Sequence, residues 1–118
     1  MNEAIRSRLK QATRAILDNE LHNQLWLHGN RRHSAEESFE DVVLFVIDEL
    51  ATTDGQALIG HLLIDQEELN AFQRLSRALE SLMDSIGPKA SFTDVDVAGP
   101  MWGECMSAAA ELKDRMWA

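Results

Sequence analysis

The chain has no tyrosine, one cysteine, two prolines, and no apolar run longer than the six residues from Val42 to Ile47. A lone cysteine, Cys105, rules out an intrachain disulfide and suits a reducing compartment. A six-residue apolar run falls far short of the ~20 residues a bilayer requires. The first residues, Met1-Asn2-Glu3-Ala4-Ile5-Arg6, lack the apolar stretch of a secretory signal. The expectation is a cytoplasmic protein with no membrane partner. Without tyrosine to interleave with it, the modest basic cluster Arg6, Arg8, Lys10 and Arg14 does not read as a nucleic-acid surface. Gly55 and Gly60 stand apart with no lysine nearby, so no phosphate-cradling loop is present.

The most informative absence is local. Between Ser34 and Asn70 there is no lysine or arginine, yet there are ten carboxylates: Glu36, Glu37, Glu40, Asp41, Asp48, Glu49, Asp54, Asp65, Glu67 and Glu68. Residues 1–33 carry a net +3 and residues 71–118 a net −2, so the formal charge of −9 originates in the middle third. Such a field repels nucleic acid and anionic membrane and attracts basic partners. A merely solvating face would interleave lysines. The 45% hydrophobic content is nevertheless that of a globular protein, and 118 residues suit a single domain, 1–118, with a core that needs no metal or disulfide.

Periodicity predicts helices. Ile5, Leu9, Ala12 and Ile16 form an amphipathic stripe over Glu3 to Leu17. Asp18 or Asn19 can cap a short second helix carrying Leu21, Leu25 and Trp26, with Gly29-Asn30 as its stop. Ser34-Ala35-Glu36-Glu37 reads as a capping box, and Ser38 offers a competing start four residues later. Phe39, Val42, Val43, Val46, Ile47 and Leu50 follow helical spacing, although Val42 to Ile47 is rich enough in β-branched residues to read as a buried strand. Asp54-Gly55 marks a turn, and Ala57 to Ile64, broken by Gly60, has no clear assignment. Asp65 caps the clearest helix, with the stripe Leu69, Phe72, Leu75, Leu79, Leu82 and Ile86 and a stop at Gly87-Pro88. Phe92 and Val95 can pin the linker that follows. Pro100 opens a last helix with Trp102, Cys105, Met106, Ala109, Leu112 and Met116 on its buried face. The expected fold is an all-α bundle of four to six helices. The alternative is an α+β fold with a hairpin at 42–64.

Little here points to catalysis. His28 and His33 are separated by Gly29-Asn30-Arg31-Arg32, which is not a helical ligand pair, and the arginines oppose a cation. With His22 and His61 they form no metal-ligand pattern, so neither a metal nor a cofactor is expected. Cys105 sits on an apolar stripe and reads as a small buried hydrophobe. The carboxylate pairs are consecutive in sequence, so on a helix their members diverge by about 100° and face solvent. No enzymatic activity is expected. The site residues are instead a pool of partner-binding acids: Glu36, Glu37, Glu40, Asp41, Asp48, Glu49 and Asp54.

A family resemblance adds to this reading. It rests on Leu25-Trp26-Leu27 with Gly29, Ala57-Leu58-Ile59-Gly60-His61-Leu62-Leu63, Glu67-Glu68, Leu75, Leu79, Ile86-Gly87, Asp94, Val97, Pro100-Met101-Trp102 and Ala108-Ala109-Ala110. The pattern covers roughly residues 18–112. It resembles small bacterial proteins, common in actinobacteria, that are grouped with immunity proteins of contact-dependent growth inhibition systems. The chain departs from that pattern in lacking tyrosines in the acidic–apolar segment from Asp41 to Asp54. The resemblance implies a protein that binds and neutralises a toxin domain. Such toxins are often nucleases with basic clefts, for which an acidic surface is the complement. Two other classes are a helical adaptor or homodimer with a solvating acidic face, and a small metal-dependent enzyme using the carboxylates from Glu36 to Asp41.

Overall fold

Helix α1 runs Glu3–Leu17, with Leu9, Ala12 and Ile16 buried on the stripe that the sequence predicts. The computed structural model describes residues 3–27, 38–50, 55–87, 92, 95 and 99–117. Asp18 caps α2, Asn19–Leu21, by accepting from the Leu21 N–H at 3.0 Å. The helix then widens into a π-helical turn, His22–Trp26, closed by the Leu27 N–H donating to the His22 carbonyl at 2.9 Å. Helix α3, Phe39–Leu44, is capped by Ser38. The Ser38 hydroxyl accepts from the Asp41 N–H, and the Asp41 carboxylate accepts from the Ser38 N–H. It continues as a second π-helical stretch, Phe45–Leu50. Residues 28–37 and 51–54, which include the Gly29-Asn30 stop and the Ser34 box, lie outside the described residues.

The hairpin alternative at 42–64 does not form. Val42, Val43, Phe45 and Val46 are buried while Leu44 is exposed, a helical and not an alternating pattern. A reciprocal cap at the start and burial of one face override the β-branched propensity of this run. Helix α4 is the short Gly55–Leu58. After it the chain turns tightly: the Leu62 and Leu63 N–H groups both donate to the Leu58 carbonyl, and the Gly60 N–H donates to the Leu63 carbonyl. Gly60 adopts φ +89°, a backbone conformation that side-chain-bearing residues avoid. The only pairing resembling a sheet among the described residues is the isolated Ile59–Leu63 bridge inside this turn. The turn buries Leu58, Leu62 and Leu63.

Helices α5, Gln66–Ile86, and α6, Pro100–Trp117, form the most extensive packing in the molecule, and α1 packs across α6. The two long helices are antiparallel, since Glu67 meets Arg115 while Arg74 meets Glu104 and Glu111. Asp65 caps α5 through the Glu68 N–H, and Gly87 ends it at φ +96°. Leu69, Phe72, Leu75, Leu79 and Leu82 are buried. Each contributes on the order of 1.5–3 kcal/mol relative to exposure. Phe92 and Val95 are buried as the linker reading expects. The buried apolar side chains form one cluster, and the radius of gyration, 13.7 Å, matches the roughly 13.5 Å of a compact domain of this length. The fold is an all-α bundle of six helices among the described residues. None of those helices is long and apolar enough to cross a membrane.

Candidate functional site

The acids of the middle third divide into two groups. Asp65, Glu67 and Glu68 are used inside the molecule. Asp65 caps α5. Glu67 pairs with Arg115 at 2.7 Å on the surface. Glu68 is buried, only 3% exposed, against an equally buried Arg6 at 6%. Its two oxygens accept from Arg6 Nη1 and Nη2 at 2.8 and 3.0 Å, and Oε1 also accepts from the Ile64 N–H at 2.9 Å. Arg6 Nη1 in turn donates to the Leu62 carbonyl at 2.8 Å. The hydrogen bond to Glu68 raises the guanidinium pKa further above its ordinary value. The pair therefore ties α1 and α5 to the turn between α4 and α5. Sequence reasoning misplaced both residues, with Arg6 beside the α1 stripe and Glu68 on a solvated face. An unbroken apolar stripe carries no sign that a flanking arginine points inward.

Of the seven partner-binding acids, the structure describes the side chains of two. Glu40 and Asp41 are exposed in the first turn of α3, where the helix dipole favours negative charge. Among the described residues neither pairs with a lysine or arginine. Asp41 also closes the capping box. The backbone of Asp48 and Glu49 lies in the π-helical stretch that extends α3, which places them on the same element; their side chains lie outside the described set. Glu36, Glu37 and Asp54 lie outside the described residues.

The chain matches the family described as Domain of unknown function (DUF7945) over residues 2–118. It belongs to that family. No curated protein and no solved structure matches it.

A second feature of this DUF7945 chain was not foreseen: an aromatic cluster around His22. The imidazole stacks on Trp26, with ring centroids 4.5 Å apart and planes 19° apart, because a π-helical turn nearly eclipses residues four apart. Phe92 and Trp102 approach it at 5.1 and 5.5 Å, and Phe39 packs edge-on against Trp26 and Phe92. Nε2 of His22 lies 2.8 Å from the Ala15 carbonyl. A carbonyl only accepts, so Nε2 carries the proton and Nδ1 carries the lone pair. Burial lowers the His22 pKa against the opposing pull of that carbonyl. The sequence signal is the i, i+4 spacing of His22 and Trp26 on the second short helix, which weighing the histidines only as metal ligands passes over.

Cys105 is fully buried, and burial pushes its thiol pKa up to about 12, so it is not a thiolate nucleophile at neutral pH. Among the described residues no group of three or more His, Cys, Asp or Glu side chains could hold a metal ion.

Proposed function

We propose that this chain is a non-enzymatic binding protein whose acidic surface, drawn from Glu36, Glu37, Glu40, Asp41, Asp48, Glu49 and Asp54, engages and neutralises a basic protein. Following the resemblance to immunity proteins, that partner is a toxin domain, most naturally a nuclease, and the two meet in the cytoplasm. One observation carries the reading. The acids of the charged block outside this pool have partners within the chain, whereas Glu40 stands exposed and without a cation among the described residues. Unneutralised charge of one sign on one stretch steers diffusional encounter with a basic cleft and occupies the space phosphates would take.

The test is co-expression with a candidate toxin domain taken from an adjacent gene, together with kinetics on the purified pair. Wild type should protect cells, and its association should slow as salt rises. A variant with Glu36, Glu37, Glu40 and Asp48 changed to lysine leaves the Ser38–Asp41 cap in place. It should lose protection while retaining its helical spectrum. A folded variant that still protects and binds with unchanged salt dependence would show that the interface lies elsewhere. Self-association of wild type on gel filtration, with no toxin bound, would favour the homodimer.

A further inference from the structure

The aromatic cluster is open on one side. Between the π-helical turn after α2 and the start of α6 lies a cavity of about 360 Å³, lined among others by His22, Asn23, Phe92, Trp102, Gly103 and Met106. That is more than twice the roughly 150 Å³ that holds benzene in an engineered apolar cavity, so a fused-ring molecule fits. No charged side chain is among the described lining residues, a lining that suits a neutral occupant.

Two details of the lining have no role in the packing. With Nε2 given to Ala15, the Nδ1 lone pair of the buried His22 has no partner among the described residues. A buried acceptor left unmatched is costly, and nearly all such groups find a donor. Gly103 sits in the second turn of α6, where glycine is less favourable than alanine. No neighbour requires it, for a Cβ added there would meet nothing within 4 Å. Its effect is to leave the helix backbone bare where it borders the cavity. The π-helical turn that presents His22 is itself a less stable winding, frequent at functional sites.

We propose that this cavity is a binding site for a small, neutral, planar aromatic molecule carrying one N–H or O–H donor, with its ring against Trp102 and Phe92 and its donor on Nδ1 of His22. Aromatic walls favour such a ring through edge-to-face and offset contacts. The unmatched acceptor disfavours a ring without a donor. Neither Glu40 nor Asp41, the two pool members whose side chains are described, lines the cavity.

Indole and phenol are the probes, with naphthalene and toluene as donor-free counterparts, titrated into isotope-labelled wild-type protein by NMR. Indole and phenol should give saturable shifts at millimolar concentration, centred on the Trp102 indole N–H and the Met106 methyl. Phenol should bind about fivefold tighter than toluene, the scale of one net hydrogen bond. Gly103→Leu places a side chain in the cavity and suits a helix, so it should abolish the shifts while the circular dichroism spectrum stays helical. Three results would overturn the proposal: no saturable shift, saturable shifts remote from Trp102 and Met106, or equal affinity for phenol and toluene. A folded Gly103→Leu that binds as well as wild type would also do so. If that variant does not fold, the wild-type shift map decides alone.

Discussion

Replacing Glu68 by alanine should destabilise the protein more than any surface change, although its neighbour Glu67 looks equivalent in sequence. The substitution removes a carboxylate that accepts three hydrogen bonds, two from Arg6 and one from the Ile64 N–H. It leaves the buried Arg6 guanidinium hydrogen-bonded to the Leu62 carbonyl, with Glu3 and Asp65 as the neighbouring negative charges. Breaking a buried ion pair from one side costs about 3–5 kcal/mol, against a total stability of roughly 5–15 kcal/mol for a domain of this kind. With a urea m-value of about 1.5 kcal/mol/M, a loss of ~4 kcal/mol moves the midpoint down by about 2.5 M. Glu67→Ala is the control: its bond to Arg115 is exposed, and it should cost at most about 1 kcal/mol. The double variant Arg6→Met, Glu68→Leu removes both charges and should lose less than the two single variants summed. It still leaves the Leu62 carbonyl and the Ile64 N–H without these partners, at about 1–3 kcal/mol each. Urea titration followed by far-UV circular dichroism measures these variants, with the single Arg6→Met and Glu68→Leu, against wild type. A Glu68→Ala loss below about 1 kcal/mol would place this pair with surface bridges and remove it as the link between α1, α5 and the turn.

Two further outcomes follow from buried groups. The His22 pKa is lowered in the folded state, so the unfolded chain binds the proton first as pH falls. Stability should be at full strength above about pH 6.5 and decline as pH drops toward the folded-state value. His22→Gln should flatten that part of the pH–stability curve, and an unchanged slope in this variant would refute the assignment. Cys105, buried and with its thiol pushed up to about 12, should resist a thiol-specific disulfide reagent near pH 8 and react fully once the chain is unfolded in urea. Rapid reaction of the native protein would place the sulfur at the surface.

Much of the bundle was legible because its signals are local. The stripes of α1, α5 and α6, the Asp65 cap, the Gly87 stop and Pro100 at the head of α6 all depend on residues within a turn or two of each other. Illegible features depend on contacts between distant segments. Arg6 and Glu68 are 62 residues apart, and nothing in either neighbourhood indicates that both turn inward. The turn at 58–65 is built from one carbonyl, that of Leu58, shared by several N–H groups and from a glycine at positive φ, which no hydrophobic period encodes. The two π-helical stretches preserve apolar spacing close to that of an α-helix, so periodicity does not distinguish them. The aromatic cluster draws on the π-helical turn after α2, on α3, on α6 and on the linker, and only the folded chain shows His22 as its centre.

The buried pair also changes what the acidic block signifies. A count of charge along the sequence treats its ten carboxylates alike. In the folded chain Glu68 spends its charge on Arg6, Glu67 on Arg115, and Asp65 on the amide end of α5. The seven carboxylates of the proposed contact pool all precede residue 55, upstream of the turn that Arg6 locks. The two tasks are therefore separable by experiment. Substitutions at Glu68 should act on stability, and substitutions at Glu40 on association. Glu40→Lys should leave the urea midpoint within the range of surface changes, about 0.5 kcal/mol, because no described side chain depends on it. If it unfolds the protein instead, Glu40 belongs to the fold and the contact pool loses its best-placed member.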